Sequence, residues 1–189
     1  IKTGALYHDV GKLHAPNWFI ENQDGSKNPH DEIDNPFRSA EVLQAHVDEG
    51  LHYARKNRLP KPIANFIPEH QGTLKMGYFF QKAKEKNLKI NENDFRYKGP
   101  IPQSKETAIL MLADGCEAAL RAMNINASDN EALETISRII YSRKKDGQLD
   151  DSNLSKGEIF LIKRAFLNVW KRIRHRRIQY PTTKNNTFS

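Results

Sequence analysis

An all-α fold, in the form of a helical bundle with long packed loops, follows from three features of the sequence. Apolar residues recur with helical period nearly everywhere, alternating β-branched stretches are almost absent, and proline, glycine and Ser/Asp signals stand where helix ends are expected. The 189 residues suffice for one domain with a real core and are short for two. Apolar and charged fractions of 38% and 28% place the chain among ordinary globular proteins rather than disordered or membrane-embedded ones. No apolar run reaches the length a membrane span needs, and no signal peptide is visible at Ile1.

The elements follow in order. Residues 2–12 read as the end of a helix stopped near Gly11, and Ala5-Leu6-Tyr7 as its middle, so that the helix is expected to begin upstream. Residues 15–36, rich in Asn, Asp, Gly and Pro, read as a packed loop anchored by Trp18, Phe19 and Ile20. A helix is predicted from about Pro36 to Asn57, with Ser39, Val42, Leu43, His46, Gly50 and Tyr53 on one face. Pro60 and Pro62 open the next helix, and Pro68 predicts a bend or break just before His70. Gly72-Thr73 stops it, and another helix is expected over Leu74–Lys86.

A second packed loop over residues 91–104 leads to a helix from about Ser104 to Met123. Asp129 or Asn130 is expected to cap a helix running to Lys145, and Ser155 with Glu158 to open a last helix reaching Ile178. The domain is thus drawn over 1–180, with a disordered tail over 181–189.

The single cysteine, Cys116, excludes an internal disulfide and lies in an apolar helix, as a buried structural thiol would. The net charge of +7 is uneven: from Arg138 onward 13 Lys/Arg face 4 Asp/Glu. Such asymmetry fits an anionic partner, a membrane surface or a solvated basic tail. In residues 169–180, Val169, Trp170, Ile173 and Ile178 alternate with five basic residues and His175. That pattern reads first as an amphipathic helix with a solvated basic face. Nucleic-acid binding is not expected, because the exposed face lacks interleaved aromatics.

His8, His46, His70 and Asp114 are polar residues on faces that should point inward, each from a different helix. A buried carboxylate is costly unless paired or coordinated. A divalent metal would satisfy all four, and so would a buried His–Asp hydrogen-bond network; spacing alone leaves both open. His8 and Asp9, about 100° apart on a helix, could flank a metal or two over the ridge between them. Lys12 returns to the same face, where it would meet a phosphate oxygen or simply end the helix in solvent.

The motif HDVGK at 8–12, followed by a distant histidine, a further histidine and a late aspartate, resembles the HD superfamily of metal-dependent phosphohydrolases. FIENQ at 19–23, NPHD at 28–31, EHQGT at 69–73, the run from Phe95 to Asp114 and DGQLDD at 146–151 are similar to the cytoplasmic domain of the seven-transmembrane, PgpH-type phosphodiesterases of cyclic di-AMP. That resemblance implies two divalent transition metals, iron or manganese, held by His8, Asp9, His46, His70 and Asp114. Asp9 would bridge, His8 and Asp114 would hold one ion, and His46 and His70 the other. Gln71 stands where the family commonly has a second histidine, and the family's earliest histidine ligand would lie before this chain.

The implied reaction is hydrolysis of cyclic di-AMP to linear pApA, with Asp9 and Lys12 as catalytic residues. Asn22, Gln23, Arg38, Arg96 and Tyr97 join Lys12 as expected substrate contacts, against ordinary loop packing. The implied setting is the cytoplasmic face of a membrane beneath an upstream anchor, with a homodimer as one arrangement. A degenerate domain that senses the nucleotide, or a hydrolase of another nucleotide such as (p)ppGpp, are the alternatives. His30-Asp31, a second such dipeptide, reads as structural and outside any helix.

Overall fold

The computed structural model describes residues 1–23, 25 and 27–177, of which residues 175–177 are described in backbone alone. The expected tail over 181–189, the helix end at Ile178 and the His175 side chain therefore lie outside the described residues. The chain folds as helices α1 (Lys2–Tyr7), α2 (Pro29–Ile33), α3 (Pro36–Lys56), α4 (Lys61–Ala64), α5 (Phe66–Glu69), α6 (Gly77–Glu85), α7 (Lys105–Arg121), α8 (Asp129–Lys145) and α9 (Lys156–Arg177). Among the described residues there is no strand, only an isolated bridge between Lys75 and Arg96. No described helix is long and apolar enough to cross a membrane.

Two apolar cores hold these elements. Met111, Leu112 and Cys116 of α7 pack on Ile136 and Ile140 of α8 and on Ile162 of α9. Burial pushes the Cys116 thiol up to about 11, so it stays protonated at neutral pH. The second core joins Ala40 of α3 to Phe79 and Ala83 of α6 and to Phe95. Phe95 is fully buried, and burying such a side chain contributes about 2–3 kcal/mol.

The helix starts are chemically specified. The Asn35 side chain accepts hydrogen bonds from the backbone N–H groups of Phe37 and Arg38, with Pro36 in the first turn of α3. Ser155 and Glu158 reciprocate at the head of α9, as expected. At α8 the cap is Ser128, one residue before Asp129 and two before Asn130, the expected caps. Its hydroxyl accepts from Glu131 N–H while Glu131 accepts from Ser128 N–H, a capping box that Asp129 at the first helical position could not form. Ser128→Ala is expected to cost about 1 kcal/mol in a urea unfolding curve.

Other boundaries move for physical reasons. The break expected just before His70 falls at Asn65, between α4 and α5. Pro68 has no N–H for the carbonyl of Ala64, four residues earlier, so the helix divides there. Residues 74–76 are extended rather than helical, because Tyr97 N–H donates to Leu74 O and Met76 N–H to Phe95 O. The loop over 15–36 contains short 3-10 turns and α2, so His30 is helical after all. His30 is nonetheless structural: its ring bonds to Trp18 O and packs on Trp18 and Phe79.

The largest difference concerns the start of the chain. α1 ends at Tyr7, His8 and Asp9 form a turn, and a 3-10 helix runs over Val10–His14. Gly11 is not a stop signal but a point of contact. Its backbone lies so close to α3 that an added Cβ would sit 1.8 Å from His46 O and 2.5 Å from Gly50 N.

Candidate metal centre

The His8–Asp9 turn meets His46 from the middle of α3, His70 just after α5 and Asp114 from α7. Asp9 is the hub. Its Oδ2 lies 3.2 Å from His8 Nε2 and 2.7 Å from Lys12 Nζ, while its Oδ1 lies 3.3 Å from His70 Nε2 and 3.6 Å from His46 Nε2. Asp114 Oδ1 stands 3.9 Å from His8 Nε2 on the outer side. Ligand atoms of His8, Asp9 and His70 fall within 4.8 Å of one another, with His46 and Asp114 flanking them.

The imidazoles are oriented alike. Each Nδ1 faces a carbonyl of its own preceding turn: His8 to Ala5 O, His46 to Leu43 O, and His70 to Ile67 O at 2.6 Å. An Nδ1–H donated there leaves the Nε2 lone pair pointing inward, the tautomer a metal-binding histidine uses. His8 Nε2, Asp9 Oδ1, His46 Nε2 and His70 Nε2 are all buried without a hydrogen-bond partner among the described residues. Four converging acceptors in a buried space repel one another unless a proton or cation lies among them, and imidazole with carboxylate suits a divalent transition ion. The residues present fit such an ion.

Without an ion, the cluster balances its own charge. Burial opposes charge on Asp9, but the close imidazoles of His70 and His8, with the charge of Lys12, hold its carboxyl well below the usual range. Burial likewise opposes charge on His8, yet the carboxylates of Asp114 and Asp9 beside it raise its pKa to about 10. His46, more deeply buried and beside His70, falls to about 4.

Asp114 is less enclosed than its apolar neighbours in sequence imply. Its side chain keeps 40% of its accessible surface, because that helix face opens onto the edge of the centre rather than into the core. Lys12 does not project into solvent. It is held between Asp9 and Glu21 over the ring of Phe19.

The other expected contacts divide. Tyr97 and Phe19 pack edge-on against the His46 ring, walling it, and burial pushes the Tyr97 phenol far above its ordinary range. Arg38 is exposed, pairs with Glu41 at 3.0 Å, and borders a small cleft of about 170 Å³ that His46 also lines. Asn22 and Gln23 donate to the carbonyls of Pro16 and Asn17, bracing their own loop. Arg96 forms a two-pronged pair with Asp146, a further bond to Glu92, and a bond to Thr73 O. Gln71 is half-buried between His70 and Gly72.

Two supports were not anticipated from sequence. Glu69, 3% exposed, accepts from Gln103 N–H and Thr107 Oγ1, tying the turn that carries His70 to the head of α7. Gln148, 1% exposed, accepts from Thr73 N–H and donates to Thr73 Oγ1 and Asp146 Oδ2. With Arg96 on Thr73 O, all three polar groups of Thr73 are fastened by distant side chains. Glu69 adjoins His70 and Gln148 sits in the DGQLDD motif, but nothing local reveals their partners.

With this geometry in place, comparison with known proteins is decisive. A model of the HD domain family matches residues 1–119. The chain belongs to the HD domain family. This HD chain is 48% identical over 186 residues to an uncharacterised protein of Synechocystis, covering 96% of the chain and 23% of that protein. It is 37% identical over 185 residues to the cyclic-di-AMP phosphodiesterase PgpH of Listeria monocytogenes, covering 98% of the chain and 26% of PgpH. With PgpH of Bacillus subtilis the identity is 39% over 180 residues, covering 95% and 25%. The chain thus spans about a quarter of the length of these relatives.

In three dimensions it is similar to the crystal structure of the L. monocytogenes PgpH HD domain in complex with cyclic-di-AMP. The TM-score is 0.86 at 36% identity, over 91% of this chain and 79% of that one. A second crystal structure of that domain gives 0.85 at 35% identity, over 92% and 81%. The all-α fold and the resemblance read from the HDVGK motif are both borne out.

Proposed function

We propose that this HD domain is a metal-dependent phosphodiesterase that hydrolyses cyclic di-AMP to linear pApA. The observation that carries the reading is the convergence of four buried, unpartnered acceptors from His8, Asp9, His46 and His70. The likeness to PgpH chains supports the substrate. The two oxygens of Asp9 face different partners, which supports its role as a shared ligand. His8 and Asp114 would complete one position, and His46 and His70 the other. Gln71 would offer an amide oxygen beside His70.

Bound iron or manganese would polarise the phosphoryl oxygens and acidify a water. The protein's own part is positioning. Carbonyls at Ala5, Leu43 and Ile67 fix the imidazoles, and Phe19 with Tyr97 keeps water from His46. Lys12, held by Asp9 and Glu21, presents its charge to the phosphoryl oxygens. In the longer protein the domain would work on the cytoplasmic side of a membrane, a placement that rests on the family resemblance.

The test is hydrolysis by protein stripped with chelator and reloaded with manganese or iron, against cyclic di-AMP and cyclic di-GMP. Linear product from cyclic di-AMP alone, abolished by chelator, is the expected result. Tight nucleotide binding without turnover, even in Gln71→His, would instead make the domain a sensor, the role Gln71 allows. No bound metal and no turnover after reloading would overturn the reading.

A further inference from the structure

Arg143 in the last turn of α8 is a cation that forms no ion pair among the described residues. Its Nε is buried and has no hydrogen-bond partner among the described residues. Asp146, three residues on, is occupied by the two-pronged pair with Arg96. Burial lowers the affinity of Arg143 for its proton, yet a guanidinium stays charged in proteins. The residue as a whole is half-buried, so the closed-off, unpartnered Nε edge of its guanidinium calls for an explanation.

Its position provides one. The guanidinium lies over Gly115, where an added Cβ would be 3.2 Å from Nη2 and 3.9 Å from Cζ. Gly115 directly follows Asp114 and stands one turn beyond Met111, whose methyl lies under Gly72. Arg143 therefore stands beside Gly115, next to Asp114 on the flank of the metal centre, and within reach of the Asp114 charge. A glycine inside a helix is unfavourable relative to alanine, and here it keeps room for the guanidinium. Other nearby cations are engaged: Lys12 by Asp9 and Glu21, Arg96 by Asp146 and Glu92, Arg38 by Glu41.

A cyclic dinucleotide has two phosphates, and only one can react at the centre at a time. The other needs its own cation, and the fork of a guanidinium matches phosphate oxygens. Resting on the function proposed above, we propose that Arg143 binds the non-reacting phosphate and so selects substrates carrying a second phosphodiester.

The experiment compares the metal-loaded protein with Arg143→Gln and Arg143→Lys on cyclic di-AMP and on bis(p-nitrophenyl) phosphate, which has a single phosphodiester. In Arg143→Gln the preference for the dinucleotide, as a ratio of kcat/KM values, should fall about 10–100-fold, through KM rather than kcat. The dissociation constant of linear pApA, by calorimetry, should rise by a similar factor. Arg143→Lys, which keeps the charge without the fork, should recover part of both, and it decides the matter if the glutamine variant fails to fold. Equal losses on both substrates, or no change in the ratio, would overturn the proposal while leaving the phosphodiesterase reading intact. Failure of the unaltered protein to cleave cyclic di-AMP, with the single phosphodiester still hydrolysed, would overturn that reading and this proposal together.

Discussion

Asp9→Asn should strip the protein of bound metal and lower hydrolysis of cyclic di-AMP by about 10³-fold or more. The substitution keeps the shape of the side chain and removes its charge. In the folded protein Asp9 touches His8, His70, His46 and Lys12 through both oxygens, so no neighbour can take over its place. An amide presents one oxygen and one N–H₂ donor, and the donor would point at imidazole lone pairs or at Lys12. Metal content by elemental analysis is the primary readout, with turnover second. The variant's thermal unfolding, compared with that of metal-free protein, separates loss of ions from loss of fold. Two equivalents of metal retained in Asp9→Asn would show that the ions do not share this carboxylate.

The largest effect on stability is expected from Gly11→Ala, at about 3 kcal/mol or more. The added methyl would meet the main chain of α3 at His46 and Gly50, and main chain in mid-helix has no rotamer through which to yield. For a chain of this size such a loss lowers the thermal midpoint by about 10 °C. The clash also levers the Asp9 turn away from His46, so metal affinity should fall with stability. Gly77→Ala is the control, since a Cβ there meets nothing within 4 Å. An unchanged midpoint in Gly11→Ala would mean that the two segments are not pressed together as the structure has them.

What the sequence disclosed was local chemistry. The starts of α3 at Pro36 and of α9 at Ser155 with Glu158 could be read because first-turn proline and caps act on neighbouring N–H groups, and those are visible along the chain. His8, His46 and His70 could be singled out because an imidazole on an apolar face has no neighbour in sequence to satisfy it. What stayed hidden depends on partners far along the chain. A glycine that ends a helix and one that admits another backbone look alike, so Gly11 was read as a stop. Arg96 in a loop resembles a substrate contact until Asp146, fifty residues away, is seen to hold it. Asp114 was expected to be enclosed because its sequence neighbours are apolar, but the direction its helix face looks is set by how α7 packs.

The fastening of Thr73 by Gln148 bears on where this kind of domain begins and ends. The match to the HD domain model stops at residue 119, although the likeness to PgpH runs on, and the turn bearing His70 is anchored from beyond that limit. The part the HD model spans is thus the blade, and the C-terminal third is the handle that keeps it aligned. Trimming such proteins to the stretch the HD model spans would keep the ligands and discard what aims one of them.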